Sequence, residues 1–227
     1  MRDVDGRRKL APAILEGQFM VYAITRATRA LFSIELDTMH RDRKRVFVDR
    51  LKWNVPVVDG VYEQDQFDNG NAVYIVAADP VTGHHQASLR LTPSLKPHML
   101  RDVFSALCEN GVPVGPQIWE LTRICISPDL PRALAHKSLG LIWLGAVEFC
   151  LDEGVTTMTG LTHTAMFANI AASGIQIEPL GPSMTFDGMA YRALQTRIAL
   201  DVLDKDRIRL EEPDRVLQYL PATAIAA

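Results

Sequence analysis

The run LGLIWLGAVEFCL at 139–151 constrains this chain most. It is too apolar to face water, and it stops at Asp152, short of the roughly 20 residues a membrane span needs. It therefore reads as a core helix, expected over about 136–153, that other elements of the same domain must cover. A chain of 227 residues with 48% hydrophobic residues can supply that cover in one domain with a sizeable core.

The remaining elements follow from periodicity and breakers. MVYAI (20–24) reads as a short strand, and a helical stretch runs from about Thr28 to Leu51, with its continuity near His40 left open. AVYIVAAD (72–79) reads as a buried strand, and DPVTG turns it into HHQASLRLT to make a hairpin. A small helix is expected at MLRDVFSAL, a strand at QIWELTRICI, another at VTTMTGLT, and a helix at TAMFANIAAS ended by Gly174. IQIEPL and MAYRALQTRIAL suggest a last strand pair. The charged DVLDKDRIRLEEPDR and its apolar tail show no role. Strands alternating with long helices imply an α/β sandwich around a mixed sheet.

The formal charge of −3 argues against a dedicated nucleic-acid binder. Cys108, Cys125 and Cys150 are too widely spaced for a zinc motif and odd in number, so they read as reduced, mostly buried thiols in a cytoplasmic protein. Residues 1–19 carry charges on both sides of a short apolar patch, unlike a signal peptide. They are expected to be a flexible, dispensable extension ahead of a single domain at 20–227.

Four short segments carry chemistry. In RKRVFVDRLKW, Arg43 and Phe47 are four apart on one helix face and Trp53 lies just beyond its end. YEQDQFDNG places Asp65 and Asp68 in a polar loop, with no histidine nearby to complete a metal site. In SLRLTPSLKPHMLRDVF, Arg90 ends a strand. QIWELTR places Glu120 and Arg123 three apart, which in a regular strand sends them to opposite faces. Each segment alone fits an ordinary solvated surface.

Together their order and spacing resemble the acyl-homoserine-lactone synthases, the autoinducer synthases of bacterial quorum sensing. The matching residues are Arg43, Phe47 and Trp53; Glu63, Asp65, Phe67 and Asp68; Arg90, Leu91, Pro93 and the helix MLRDVF; and Trp119, Glu120 and Arg123. Ala87, Thr122 and Ile124 depart from the family's usual residues, which bears on acyl preference more than on the reaction.

The resemblance implies a GNAT-type N-acyltransferase fold, a twisted mixed sheet whose central strands splay to form an acyl tunnel. It also implies that S-adenosylmethionine, a consumed substrate, is N-acylated by a fatty acyl thioester. Its carboxylate then displaces methylthioadenosine to close a homoserine lactone. No tightly bound cofactor is implied. The donor is phosphopantetheine-linked; most of the family uses acyl-carrier protein and one branch acyl-coenzyme A, so acyl-carrier protein is the donor expected. On this reading Arg43, Asp65, Asp68, Arg90, Phe47 and Trp53 line the substrate pocket, several of the charges being mutual ion pairs. Glu120 is the base or water-orienting group, with Arg123 positioning it through a strand bulge. Trp119, Met158 and Gly160 line the acyl tunnel, and Gly160 in place of a threonine implies a non-oxo acyl chain. Arg132, His136 and Lys137 are expected to dock an acidic carrier. A generic coenzyme-A-dependent N-acyltransferase and a non-catalytic acyl-thioester module remain as alternatives.

Overall fold

A computed structural model describes residues 19–219. Of the expected extension at 1–19, residues 1–18 lie outside the described residues, as do 220–227, whereas Phe19 packs on the main core.

The core helix α3 spans Arg132–Asp152 and starts four residues before the expected 136. Its length and composition alone would pass for a membrane span, but half of the helix is buried inside the protein. One face lies on β1 (Met20–Ile24), β4 (Val73–Ala78) and β5 (His85–Pro93). At Gly145 an added Cβ would meet Val21 Cγ1 at 2.9 Å and Ile75 Cγ2 at 3.1 Å, so helix and sheet are too close there for any side chain. β4 is buried at all six positions because both of its faces are covered. Val73, Ile75 and Ala77 join the α3 core, whereas Tyr74, Val76 and Ala78 pack with Phe32 and Met39 on the opposite layer.

That opposite layer contains α1, Ser33–Arg43, which runs without a break at His40 into a wider π-helical stretch at Lys44–Arg50. His85 fastens α1 to β5. Its Nδ1–H donates to Asp42 at 2.9 Å, and Ser88 Oγ donates to its Nε2 at 3.0 Å. This Ser-His-Asp order is a structural tie, because Ser88 is buried away from any substrate.

The remaining strands are the short pair β2 (Val57–Val58) and β3 (Tyr62–Glu63), then β6 (Ile118–Ile126), β7 (Thr157–His163), β8 (Glu178–Pro179), β9 (Met184–Phe186), β10 (Met189–Arg197) and β11 (Leu217–Gln218). Among the described residues they form a nine-stranded sheet in the order β11-β1-β4-β5-β6-β7-β10-β8, with β9 on β10, and a separate β2–β3 pair. β6–β7 and β1–β11 are parallel and the other pairs antiparallel. The mixed sheet flanked by helices matches the fold class expected. MLRDVFSAL is less regular than expected, with α2 confined to Met99–Asp102 and a 3₁₀ turn at Ser105–Leu107. α4 (Thr164–Ala172) ends before Gly174, whose φ of +92° suits glycine.

The charged C-terminal segment, which showed no role in sequence, does have one. It forms α5 (Leu200–Leu210) and leads into β11. The buried Glu148 of α3 accepts from Arg207 Nη2 at 2.8 Å and from the Val216 and Leu217 amides at 3.2 and 2.8 Å. Trp143 Nε1 donates to Asp206 at 2.7 Å. Replacing Glu148 with Ala would orphan a partly buried guanidinium and two amides. Glu148→Ala should lower unfolding free energy by about 3–5 kcal/mol, the range for breaking a buried ion pair, as read from urea denaturation.

Candidate active site

The site charges are neither solvated nor free. Arg43 gives Nε to Glu63 at 2.6 Å and both terminal nitrogens to Asp68 at 2.8 Å. Arg90 reaches Asp65 at 2.6 and 3.1 Å and Asp68 at 3.0 Å. Arg123 gives Nε to Glu63 at 3.0 Å and Nη2 to Asp65 at 2.6 Å. The contacts close into a ring in which arginine and carboxylate alternate: Arg43, Glu63, Arg123, Asp65, Arg90, Asp68 and back to Arg43. The most accessible of these side chains is Arg123, at 7%. With three charges of each sign the ring is neutral, which is what permits its burial.

Local structure sets each ring member. Arg43 sits where α1 widens. Glu63 comes from β3, and Asp65 and Asp68 from the turn after it, where the Asp65 amide donates to Asp68 and the Phe67 amide to Asp65. Arg90 projects from β5 and gives Nε to Thr122 across the ladder at 3.1 Å. Arg123 lies in a bulge. Between the paired positions Ser88–Cys125 and Arg90–Thr122, β6 carries one residue more than β5, and Arg123 takes φ +55°.

The expected bulge is present, but the expected contact is not. Arg123 turns toward Glu63 and Asp65, not toward Glu120. Glu120, fully buried, instead accepts from the Met99 amide at 2.9 Å and the Leu100 amide at 2.5 Å, at the start of α2. Burial pushes its carboxyl above the usual glutamate range, and the two amides pull it part of the way back. Backbone, not guanidinium, positions this carboxylate.

Phe47 and Trp53 stack at 4.7 Å between ring centroids, nearly parallel, with the Arg123 guanidinium 5.8 Å from Phe47. His163 stands 6.3 Å from Trp53 and 4.4 Å from Tyr191, extending the aromatic surface to β10. The expected tunnel residues share the α3 side of the sheet. Trp119 meets Phe149 edge-on at 5.7 Å, and Met158 is buried beside it in the α3 core. At Gly160 an added Cβ would lie 2.9 Å from the Leu121 carbonyl oxygen. β6 and β7 pair only at Ile118–Thr157, Trp119–Met158 and Glu120–Thr159, although both strands continue. They part immediately after Glu120. Arg132 is exposed at the start of α3, and Lys137 pairs with Glu212 at 3.4 Å.

Sequence reasoning left three members out of the site: Glu63, which completes the ring; Tyr74, whose hydroxyl donates to Asp68 at 2.8 Å; and Thr122. Glu63 stood in the same acidic motif as Asp65 and Asp68. Tyr74 gave no signal beyond strand alternation.

A mixed sheet flanked by helices on this topology is the fold of GNAT-type N-acyltransferases. An acyl-CoA N-acyltransferase from Pseudomonas aeruginosa shares the fold at a TM-score of 0.53 and 16% identity, over 79% of this chain and 99% of that one. Residues 28–209 match the family described as autoinducer synthase, and the chain belongs to that family. It is 30% identical over 206 residues to the isovaleryl-homoserine lactone synthase of Bradyrhizobium diazoefficiens, covering 89% of this chain and 90% of the relative. BjaI, a CoA-dependent acyl-homoserine lactone synthase solved with SAM and isopentyl-CoA, superposes with a TM-score of 0.81 at 26% identity, over 92% of this chain and 98% of that one. The protein is an acyltransferase, an acyl-homoserine-lactone synthase.

The ring makes the site acid-sensitive. Burial alone would raise the Asp68 carboxyl, yet the Arg43 and Arg90 charges hold it well below the usual range. Its stabilising contribution is therefore complete above the unfolded value of about 3.9 and lost as pH falls toward the folded one. His40, buried beside the ring with its Nδ1–H on the Glu63 carbonyl, is pushed down to about 4 by burial and then by Arg43. An unfolded histidine protonates near about 6.5, so this contribution is lost as pH falls from there to about 4. Stability measured against pH should fall in both windows. His40→Gln should flatten the upper one, and Asp68→Asn should cost about 3–5 kcal/mol at neutral pH.

Proposed function

We propose that this enzyme acylates the α-amine of S-adenosylmethionine with an acyl thioester, after which the substrate carboxylate displaces methylthioadenosine and closes the homoserine lactone. The observation that carries this reading is the parting of β6 from β7 directly after Glu120, a carboxylate of raised basicity, beside Trp119, Met158 and Gly160. Glu120 is the base. Its oxygens keep lone pairs beyond those used by the two amides, and a carboxylate shifted upward holds a proton better than a free one. Phe47 and Trp53 supply an aromatic face for the sulfonium substrate. Arg43, Asp65, Asp68, Arg90 and Arg123 act mainly as the rigid wall behind that face, since their charges are spent on one another.

The donor is read as acyl-coenzyme A rather than an acyl-carrier protein. The likeness to BjaI supports this. So does the modest charge at the start of α3, where Lys137 already faces Glu212 and Arg132 is left as the main anchor for a phosphate. The acyl chain is read as short, on the likeness to BjaI with its isopentyl-CoA, and as non-oxo, because Gly160 stands against the Leu121 carbonyl with no room for a side-chain hydroxyl.

Mass spectrometry of the purified enzyme with S-adenosylmethionine and mixed acyl-coenzyme A donors should show an N-acyl-homoserine lactone and methylthioadenosine. An unsubstituted short chain should be preferred over its 3-oxo counterpart. Preference for the 3-oxo donor would overturn the Gly160 reading, and product formed from acyl-carrier protein alone would overturn the choice of donor.

Glu120→Gln should slow acylation by at least about 10². It should also lower thermal stability, because the amide nitrogen of Gln must face one of the two backbone donors. A folded Glu120→Gln enzyme with near-normal acylation would exclude the base role.

A further inference from the structure

Two buried polar groups beside Glu120 are unexplained by the reaction as described. Thr92 stands directly opposite Glu120 in the β5–β6 ladder, so the two side chains share a face. Its exposure is 1%, and its Oγ1 makes no hydrogen bond among the described residues. His98 immediately precedes Met99 and Leu100, the residues whose amides hold Glu120. It is fully buried. Its Nδ1 lies 2.8 Å from the Lys96 carbonyl oxygen, and its Nε2 has no partner among the described residues. A carbonyl can only accept, so Nδ1 carries the hydrogen and Nε2 of the neutral ring presents a bare lone pair. Unpartnered buried polar atoms are rare, and where several converge an ordered water commonly satisfies them. Here both residues flank one carboxylate, Thr92 across the ladder from Glu120 and His98 next to the two residues whose amides hold it. The Arg90 guanidinium, which also acts on that carboxylate, is committed to Asp65, Asp68 and Thr122.

We propose that His98 is a positioning residue for acylation: its Nε2, with Thr92 Oγ1, holds a water against Glu120, and that water passes the proton taken from the substrate amine on to the imidazole. The inference rests on the reading of Glu120 as the base. In the step, an N–H bond of the α-ammonium breaks, the electron pair stays on nitrogen for attack on the thioester carbonyl, and the proton goes to Glu120. The water gives a proton to Nε2 as it accepts the one on Glu120, which restores the carboxylate and leaves an imidazolium. When the C–S bond breaks, its electron pair leaves with sulfur, and the stored proton returns through the water and Glu120 to form the thiol. Amide formation removes a second proton from nitrogen, and this one is released to solvent.

His98→Asn separates the relay from the scaffold. An Asn amide N–H stands near the place of Nδ1 and can keep the bond to the Lys96 carbonyl, while the Nε2 lone pair is gone. The expected result is a kcat for acylation lowered about tenfold or more, a smaller loss than the 10²–10⁴ of a removed base, with KM for both substrates and Tm close to the parent values. Thr92→Val should lower kcat in the same direction without raising Tm. Glu120→Gln is measured alongside. Normal kcat in His98→Asn with an impaired Glu120→Gln overturns this inference and leaves the base reading standing. Normal kcat in both removes the base reading and the relay with it. Should His98→Asn fail to fold, Thr92→Val decides, because a variant with raised Tm and unchanged kcat means a dry contact and overturns the proposal.

Discussion

A closed ring of three arginines and three carboxylates governs the candidate site. Each charge in it would be ruinous alone in a low-dielectric interior, and each is tolerable because two opposite charges flank it. Burial and neutrality therefore depend on each other. The ring draws together the end of α1, β3 and the turn after it, β5 and β6. What looks like a binding site full of charge is closer to a masonry joint. The aromatic face of Phe47 and Trp53 and the carboxylate of Glu120 lie against it, and their placement inherits its rigidity.

Much of this was legible in the sequence, but unevenly. The identity of the charged residues was readable from four short segments, and the need for mutual pairing from their closeness to a core. The pairing itself was not readable, because it turns on Arg123. A regular strand would send Glu120 and Arg123 to opposite faces. The extra residue in β6 and the left-handed backbone at Arg123 swing the guanidinium toward Glu63 and Asp65. Glu120 is then left to the amides of Met99 and Leu100, partners that no side-chain pattern announces. The core helix was legible from its composition alone. The segment after residue 200 was not, since α5 is held through Glu148, Arg207, Trp143 and Asp206, polar ties to which hydrophobic periodicity is blind.

The site also divides its work between the two faces of one sheet. Thr92, Glu120 and Thr159 occupy one face, and Trp119 and Met158 the face that joins the α3 core. Because side chains alternate, neighbouring residues of one strand face opposite sides of the sheet. On the proposed reading Trp119 borders the path for the acyl chain, and Glu120, next in sequence, meets the amine. A one-residue slip of β6 would exchange these assignments, and the bulge at Arg123 and the short β6–β7 pairing help to pin the register.

The ring also bears on how the chain folds. Its bonds join residues 20 to 60 positions apart, so none can form before the sheet, α1 and the loop around Asp65 have come together. Six hydrated charges must shed their water at that moment, so ring closure is expected late in folding, after collapse. Contacts made late leave folding rates largely unchanged and govern how slowly the native state comes apart. The ring is in that sense a latch, and it sets the enzyme's lifetime more than the speed of its assembly.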